Sequence, residues 1–134
     1  MEKLLLEIVT PERRVVREEV DEVVCPGIEG EFGVLPGHTA FLTALKIGEL
    51  SYRMGEQRRY IALTWGYAQV DSDRVEILAD MAETAEEIDL RRAEEAKTRA
   101  ESKLKGMPEE VEFDQAQVSL EKAIIRIQVA TLAQ

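Results

Sequence analysis

A chain of 134 residues is the size of one ordinary domain, or of a small domain with an appendage. With 45% of its residues apolar and 33% charged it has the composition of a soluble globular protein, while a formal charge of −10 argues against a nucleic-acid backbone as partner, since that binding is driven by Lys and Arg displacing counterions. No window approaches the roughly 20 apolar residues needed to span a bilayer, and the N-terminus lacks the basic segment and apolar run of a signal peptide, so any membrane association is expected to pass through other proteins.

From the N-terminus to about Ala79 the apolar residues repeat at the period of a strand, punctuated at short intervals by Gly, Pro and Asp. Leu4, Leu6 and Ile8 alternate against Leu5 and Val9; Ile61, Leu63 and Trp65 alternate against Tyr60 and Ala62; Val75 and Ile77 continue the pattern. Many short strands predict a sandwich or barrel. Cys25 is the only cysteine, which rules out an internal disulfide, suits a reducing compartment and reads as a small buried apolar residue rather than a reactive thiol.

The segment from Glu29 to Ala40 carries three glycines and a proline within eight residues, so it reads as a shaped turn rather than a free linker. A phosphate-cradling loop would need a lysine and a hydroxyl opening a helix, and no such lysine follows. Further on, Asp71, Ser72 and Asp73 read as a hairpin turn between two strands.

From about Glu83 the pattern turns helical, with no glycine until Gly106 and no proline until Pro108. Thr84 with Glu87 matches a capping box, and Asp89 is a second candidate cap. Gly106 and Pro108 stop the first helix, Lys103 and Lys105 suit its negative end, and a second helix is predicted from near Asp114. Helix one carries Leu90, Ala93, Ala96, Ala100 and Leu104 on one stripe. Helix two carries Ala116, Leu120, Ala123, Ile124, Ile127 and Ala130 on one stripe, with Val118, Ile125, Val129 and Leu132 almost opposite, more than one neighbouring helix can cover. Either helix one takes the alanine side and the sandwich the branched side, or the surfaces are exchangeable and a rival partner can claim them. Alanine contacts make exchange cheap, because burial stabilises in proportion to apolar area.

Catalytic chemistry is not legible. His38 is the only histidine and reads as a loop residue; with one His and one Cys no tetrahedral nitrogen and sulfur metal site can be assembled, and the serines lack partners for a triad. The abundant carboxylates read as a solvated, charge-rich surface.

The order of the Glu29–Ala40 segment, its continuation into Phe41–Leu45, Ile47 and Gly48, and the charged, alanine-rich helical tail resemble the epsilon subunit of the bacterial-type rotary ATP synthase over the whole chain. The resemblance implies an α+β protein. Residues 1–86 would form a β-sandwich of about ten short strands that binds ring and shaft, and residues 87–134 an antiparallel two-helix hairpin with a regulatory role. It implies a non-catalytic, peripheral subunit on the cytoplasmic face of the bacterial inner membrane. There it would couple the membrane ring to the gamma subunit and restrain ATP hydrolysis when the hairpin extends into the catalytic head. It also sets Glu29, Glu31 and His38 at the partner surfaces, Glu31 in particular at the polar loops of the ring. The alternative is a free-standing ATP-sensing module whose hairpin opens and closes.

No cofactor is required by this reading, but Ile88, Asp89, Arg92 and Ala93 resemble the motif with which some family members bind regulatory ATP. Arg92 and Arg99 lie two helical turns apart on one face and could both meet phosphates, or could be solvated arginines paired with Glu95 and its neighbours. By the same resemblance Glu83 would sit near the base and ribose and Arg126 would reach the phosphates from helix two. One departure stands out: helix two carries only Lys122 and Arg126 as basic residues with which to grip the head.

Overall fold

The computed structural model describes residues 2–133. Strands whose burial alternates residue by residue build its first half. In β1 (Leu4–Val9) the side chains of Leu4, Leu6 and Ile8 are fully buried while their neighbours are half-buried. β1 pairs antiparallel with β2 (Arg14–Val20) and parallel with the C-terminal strand β8 (Arg74–Thr84). β8 forms a long antiparallel ribbon with β7 (Gln57–Val70), closed at Asp71–Asp73 by a turn in which the Asp71 amide donates to the Arg74 carbonyl. On the other edge of β7, β6 (Gly48–Met54) pairs with its first half and β5 (Phe41–Leu45) with its second. Both reach across to β3 (Glu22–Gly27), which also pairs with the edge strand β4 (Gly30–Val34). The result is a β-sandwich of eight strands rather than about ten, with the core residues Leu6, Ile8, Leu50, Ile61, Leu63 and Ile77 between its layers.

Two sequence expectations change here. The glycine-rich segment is two turns separated by a strand: β3 and β4 close through Ile28 and Glu29, β4 runs from Gly30 to Val34, and the second turn is Leu35–His38. Gly33 and Gly30 hide the strand from a composition-based reading, although Phe32 and Val34 still turn inward. The second turn is fixed by Gly37, at φ 87°, whose amide donates to the Ser72 carbonyl at 2.6 Å, and by the His38 amide donating to Leu35.

Trp65 is the second. Alternation groups it with Ile61 and Leu63, which are buried, but Trp65 is 43% exposed. The backbone breaks there: Trp65 has φ 41° and Gly66 φ 157°, and beyond the break the inward residues are Ala68 and Val70, so the phase of burial has flipped. Gly66 is required, since a Cβ would lie 2.0 Å from the Leu78 carbonyl oxygen. β8 flips at the same level, with Ala79 and Ala82 buried and Asp80 and Met81 both exposed between them.

A 3-10 turn at Ala85–Glu87 leads to α1 (Leu90–Lys105) and α2 (Glu110–Leu132). Both proposed caps are used. The Thr84 amide and hydroxyl donate to Glu87 at 3.0 Å, and the Asp89 carboxylate accepts from the Arg92 amide at 3.2 Å. Gly106, Met107 at φ 54° and Pro108 stop α1. α2 starts at Glu110, four residues before the predicted Asp114, because its first turn has no buried face to betray it: Val111 and Phe113 are exposed. Among the described residues no helix is long and apolar enough to cross a membrane.

Candidate functional site: the hairpin seam and an uncovered apolar face

The helices touch through small residues. Ala93 and Ala100 of α1 and Ala116 and Ala123 of α2 are buried, which allows the close approach that the alanine stripes predict. α2 then lies on the sandwich, touching β7, β6 and the 3-10 turn, with Ala62, Ala85, Ile88, Val129 and Ala130 buried and Tyr60, Leu90 and Ile125 packed around them. Ala116 and Ala123 of the alanine side therefore face α1, while Ala130 of that side joins Ile125 and Val129 of the branched side at the sheet; Leu132 and Ile124 remain exposed.

Polar contacts fringe this seam. Arg126 meets Glu83 with Nε 2.8 Å from Oε1 and with Nη2 donating to Oε2 at 3.3 Å; both side chains are about three-quarters buried. Gln128 donates to Glu49 at 2.9 Å. The Lys122 ammonium stands 5.2 Å from the centroid of the Trp65 ring, within cation–π range. Arg13 meets Glu87 at 2.8 Å, and this hydrogen bond holds the Glu87 carboxyl below its ordinary range. Beneath α2 a cleft of about 190 Å³ is lined by Ile47, Thr64, Met81, Glu83, Lys122 and Arg126, and the Thr64 hydroxyl in it is buried without a hydrogen-bond partner.

The residues named for ATP divide by location. Glu83 and Arg126 share the cleft and neutralise each other. Ile88 packs in the seam, Asp89 caps α1 and Ala93 lies in the helix–helix contact, so three of the four motif residues have structural work. Arg92 is exposed; Arg99 lines an open trough of about 800 Å³ between the far ends of the helices with Lys103, Glu112 and Ser119. Neither lines the cleft, and it is Arg91, not Arg92 or Arg99, that pairs with Glu95, at 3.2 Å. The cleft is also smaller than the roughly 300 Å³ at which ligand pockets begin. As folded, these groups do not form an assembled triphosphate site.

Of the partner residues, Glu29 is exposed at the β3–β4 turn and Glu31 along the free edge of β4. His38 stands past the other end of β4, a strand of five residues and so roughly 17 Å long, with its ring against Phe41 at 5.3 Å and its Nδ1 2.6 Å from the Thr39 carbonyl oxygen. The three do not form one cluster.

The sequence reading missed an apolar surface. Outside the ribbon's kinked half, Leu42, Trp65, Tyr67 and Leu78 are 67, 43, 58 and 52% exposed. Tyr67 pairs across strands with Leu78 and with Ala44, so these side chains share the outer face of the sheet. Val9, Pro11, Trp65, Tyr67 and Leu78 line a shallow groove of about 530 Å³, with Thr10 and Asp80 among its few polar neighbours. Exposed apolar groups gathered in this way mark interaction surfaces. The signal was Trp-Gly inside a strand run, where glycine often announces a bend. Among the described residues no group of His, Cys, Asp and Glu is arranged to hold a metal, and Cys25 is buried, its thiol pushed up to about 12 by desolvation.

Comparison with known proteins gives concordant matches. Residues 3–85 match the family described as "ATP synthase, Delta/Epsilon chain, beta-sandwich domain", and residues 86–131 match "ATP synthase, Delta/Epsilon chain, long alpha-helix domain". The ATP synthase epsilon chain of Citrifermentans bemidjiense is 54% identical over 130 residues, 96% of this chain and 94% of its own length. That of Geotalea uraniireducens is 53% identical over 133 residues, 98% of this chain and 96% of its own. A solved chain from the mitochondrial ATP synthase of Euglena gracilis, an assembly described as OSCP/F1/c-ring, superposes with a TM-score of 0.84 at 25% identity, covering 98% of this chain and 82% of that one.

Proposed function

The chain belongs to the ATP synthase delta/epsilon family, and from that premise we propose that it is a central-stalk subunit of a proton-translocating rotary ATP synthase. In this reading the sandwich fastens the membrane ring to the gamma shaft and the hairpin restrains ATP hydrolysis. The observation that carries it is the outward apolar face of Leu42, Trp65, Tyr67 and Leu78, which the folded chain leaves without a partner of its own. An apolar face of the shaft subunit is its occupant. Glu29, at the β3–β4 turn, and Glu31, on the free edge of β4, meet polar loops of the ring, and His38 serves the far end of the same strand. The subunit lies peripherally on the cytoplasmic face of the membrane and performs no catalysis itself.

Restraint of hydrolysis requires the hairpin to leave its seat. Both basic residues of α2 are engaged at the seam, Lys122 over Trp65 and Arg126 on Glu83, so the helix must release both before it can offer them to acidic groups of the catalytic head. The seam that opposes release is made of small side chains, whose burial contributes little. The test is the assembled synthase with the full chain, with a chain ending at residue 86, and without the chain. Hydrolysis should rise when the hairpin is removed while coupled proton pumping persists, and fail to couple without the chain. Equal hydrolysis in all three would remove the regulatory role.

A second reading, regulatory ATP, is favoured by one observation: Glu83 and Arg126 are brought together beside the N-terminal part of the hairpin. Binding a triphosphate then requires Arg126 to leave Glu83 and Arg92 and Arg99 to swing toward it from α1. Calorimetry with wild type, Arg92→Ala and Lys103→Ala tests this. A loss of about tenfold to a hundredfold confined to Arg92→Ala is expected for a lost charge-assisted phosphate contact. Equal losses, or no heat at millimolar ATP, would return Arg92 to the solvent.

A further inference from the structure

We infer that Trp65 links the apolar docking groove to the seating of the hairpin, so that the shaft subunit and the folded-down hairpin strengthen each other's binding. The inference rests on the assignment of the groove to the shaft subunit made above and adds to it a route of communication.

The route begins in the backbone. The left-handed conformation of Trp65 and the following Gly66 turns the indole out of the inward series of β7, and Gly66 cannot be replaced without collision with β8. One side of the ring then borders the groove with Val9, Pro11, Tyr67 and Leu78. Over the ring stands the Lys122 ammonium, at 5.2 Å. Lys122 belongs to α2 and borders the cleft that also holds Ile125, Arg126 and Glu83, which is the seam itself. A single rigidly placed ring therefore contacts the proposed docking surface and the helix that must stay or go.

The sign of the coupling follows from electrostatics. Attraction between a cation and an aromatic face is weak in water and grows when the pair is desolvated. In the free protein Trp65 is 43% exposed. An apolar partner in the groove removes water from the ring's open side while leaving the ammonium where it is, so the Lys122 contact gains and α2 is held more firmly. Linkage makes the effect reciprocal: the seated hairpin raises the affinity of the groove for its partner by the same factor. Going from an exposed to a covered cation–π pair is worth about fivefold to tenfold in affinity.

The experiment is calorimetric titration of purified gamma-type shaft subunit into full-length chains. Tyr67→Ala removes a groove anchor and should weaken binding about thirtyfold or more, as truncating an aromatic hot spot does. Lys122→Gln lies outside the groove yet should weaken binding about fivefold to tenfold, and should have no further effect in a Trp65→Leu background. Wild-type affinity for Lys122→Gln would overturn the coupling and leave docking intact. The same loss from Lys122→Gln with and without the indole would overturn the route through the ring. Unchanged affinity in both Tyr67→Ala and Trp65→Leu would overturn the docking assignment itself.

Discussion

The sandwich and the hairpin are held by different materials. Inside the sandwich, Leu4, Leu6, Ile8, Leu50, Ile61, Leu63 and Ile77 are fully buried, each worth about 1.5–3 kcal/mol of transfer free energy. The helices meet each other through Ala93, Ala100, Ala116 and Ala123, and meet the sheet through Ala62, Ala85, Ala130, Ile88 and Val129, where most contacts offer little more than one methyl group, about 0.8 kcal/mol. Ion pairs fringe both bodies: Glu7 meets Arg14, Arg17 and Arg74, and Asp21 meets Lys3 and Arg53, on the sandwich, while Arg126 meets Glu83 at the seam. The contrast is between a body packed by large aliphatic side chains and an appendage seated on it by smaller ones, which is the arrangement that the proposed release of the hairpin requires.

The largest test of that contrast is Leu63→Ala. A fully buried leucine at the centre of β7 should cost about 2–5 kcal/mol, seen as a lowered urea midpoint for the whole sandwich. Gly66→Ala should follow at about 1–3 kcal/mol, since strain at a positive φ is added to a clash with the Leu78 carbonyl. An undiminished midpoint in either variant would mean that the sandwich is not the rigid body inferred from its burial.

Arg126→Ala is expected to act on the second body alone, at about 1 kcal/mol, because the pair with Glu83 is only partly exposed and makes two contacts. Amide exchange in α2 should quicken while exchange in β1 and β8 stays put. Cys25 sharpens the separation. Its buried thiol should resist alkylation at pH 8 in both wild type and Arg126→Ala, and react only when the sandwich opens. Because its folded value is raised from 9.0 to about 12, the thiol's contribution is fully present below pH 9 and declines above it, as the unfolded chain ionises first. Labelling that tracks hairpin release would merge the two bodies into one.

The smallest effect concerns the connector. Glu87, lowered by its hydrogen bond to Arg13, stabilises the folded state above its ordinary value of 4.5, and that contribution is lost as pH falls through the lowered folded-state value. Arg13→Gln should weaken this acid-limb dependence of exchange at the 3-10 turn, the hydrogen bonds from Thr84 preserving the rest, and leave the neutral-pH melting of the sandwich nearly unchanged.

Much of this architecture could be read from the chain. Leu4, Leu6 and Ile8 announce β1 because one face of it is buried, and Asp71–Asp73, Asp89 and Gly106 act as local signals whose chemistry does not depend on distant residues. The failures share a cause. β4 was concealed by glycines that serve an edge strand, Trp65 by a kink whose reason is the approach of Leu78 from another strand, and the first turn of α2 by its lack of any buried face. At the seam, only the family resemblance set Glu83 and Arg126 near one ligand, and their pairing with each other depends on where α2 comes to rest. The apolar face of Leu42, Tyr67 and Leu78 was invisible for the same reason, since alternation cannot say which side of a strand will be left open.

The connector between the bodies has a kinetic meaning. β8 ends at Thr84, the 3-10 turn ends at Glu87, and α1 begins at Leu90, leaving only Ile88 and Asp89 between hydrogen-bonded segments. On so short a tether a lifted hairpin meets its own sandwich again at an effective concentration of about millimolar order. A competitor diffusing freely at micromolar levels would lose that contest almost every time. In the function proposed above, only a surface already fastened beside the sandwich, and so enjoying a local concentration of its own, could hold the helices away, and assembly would then be the condition for a second position of the hairpin.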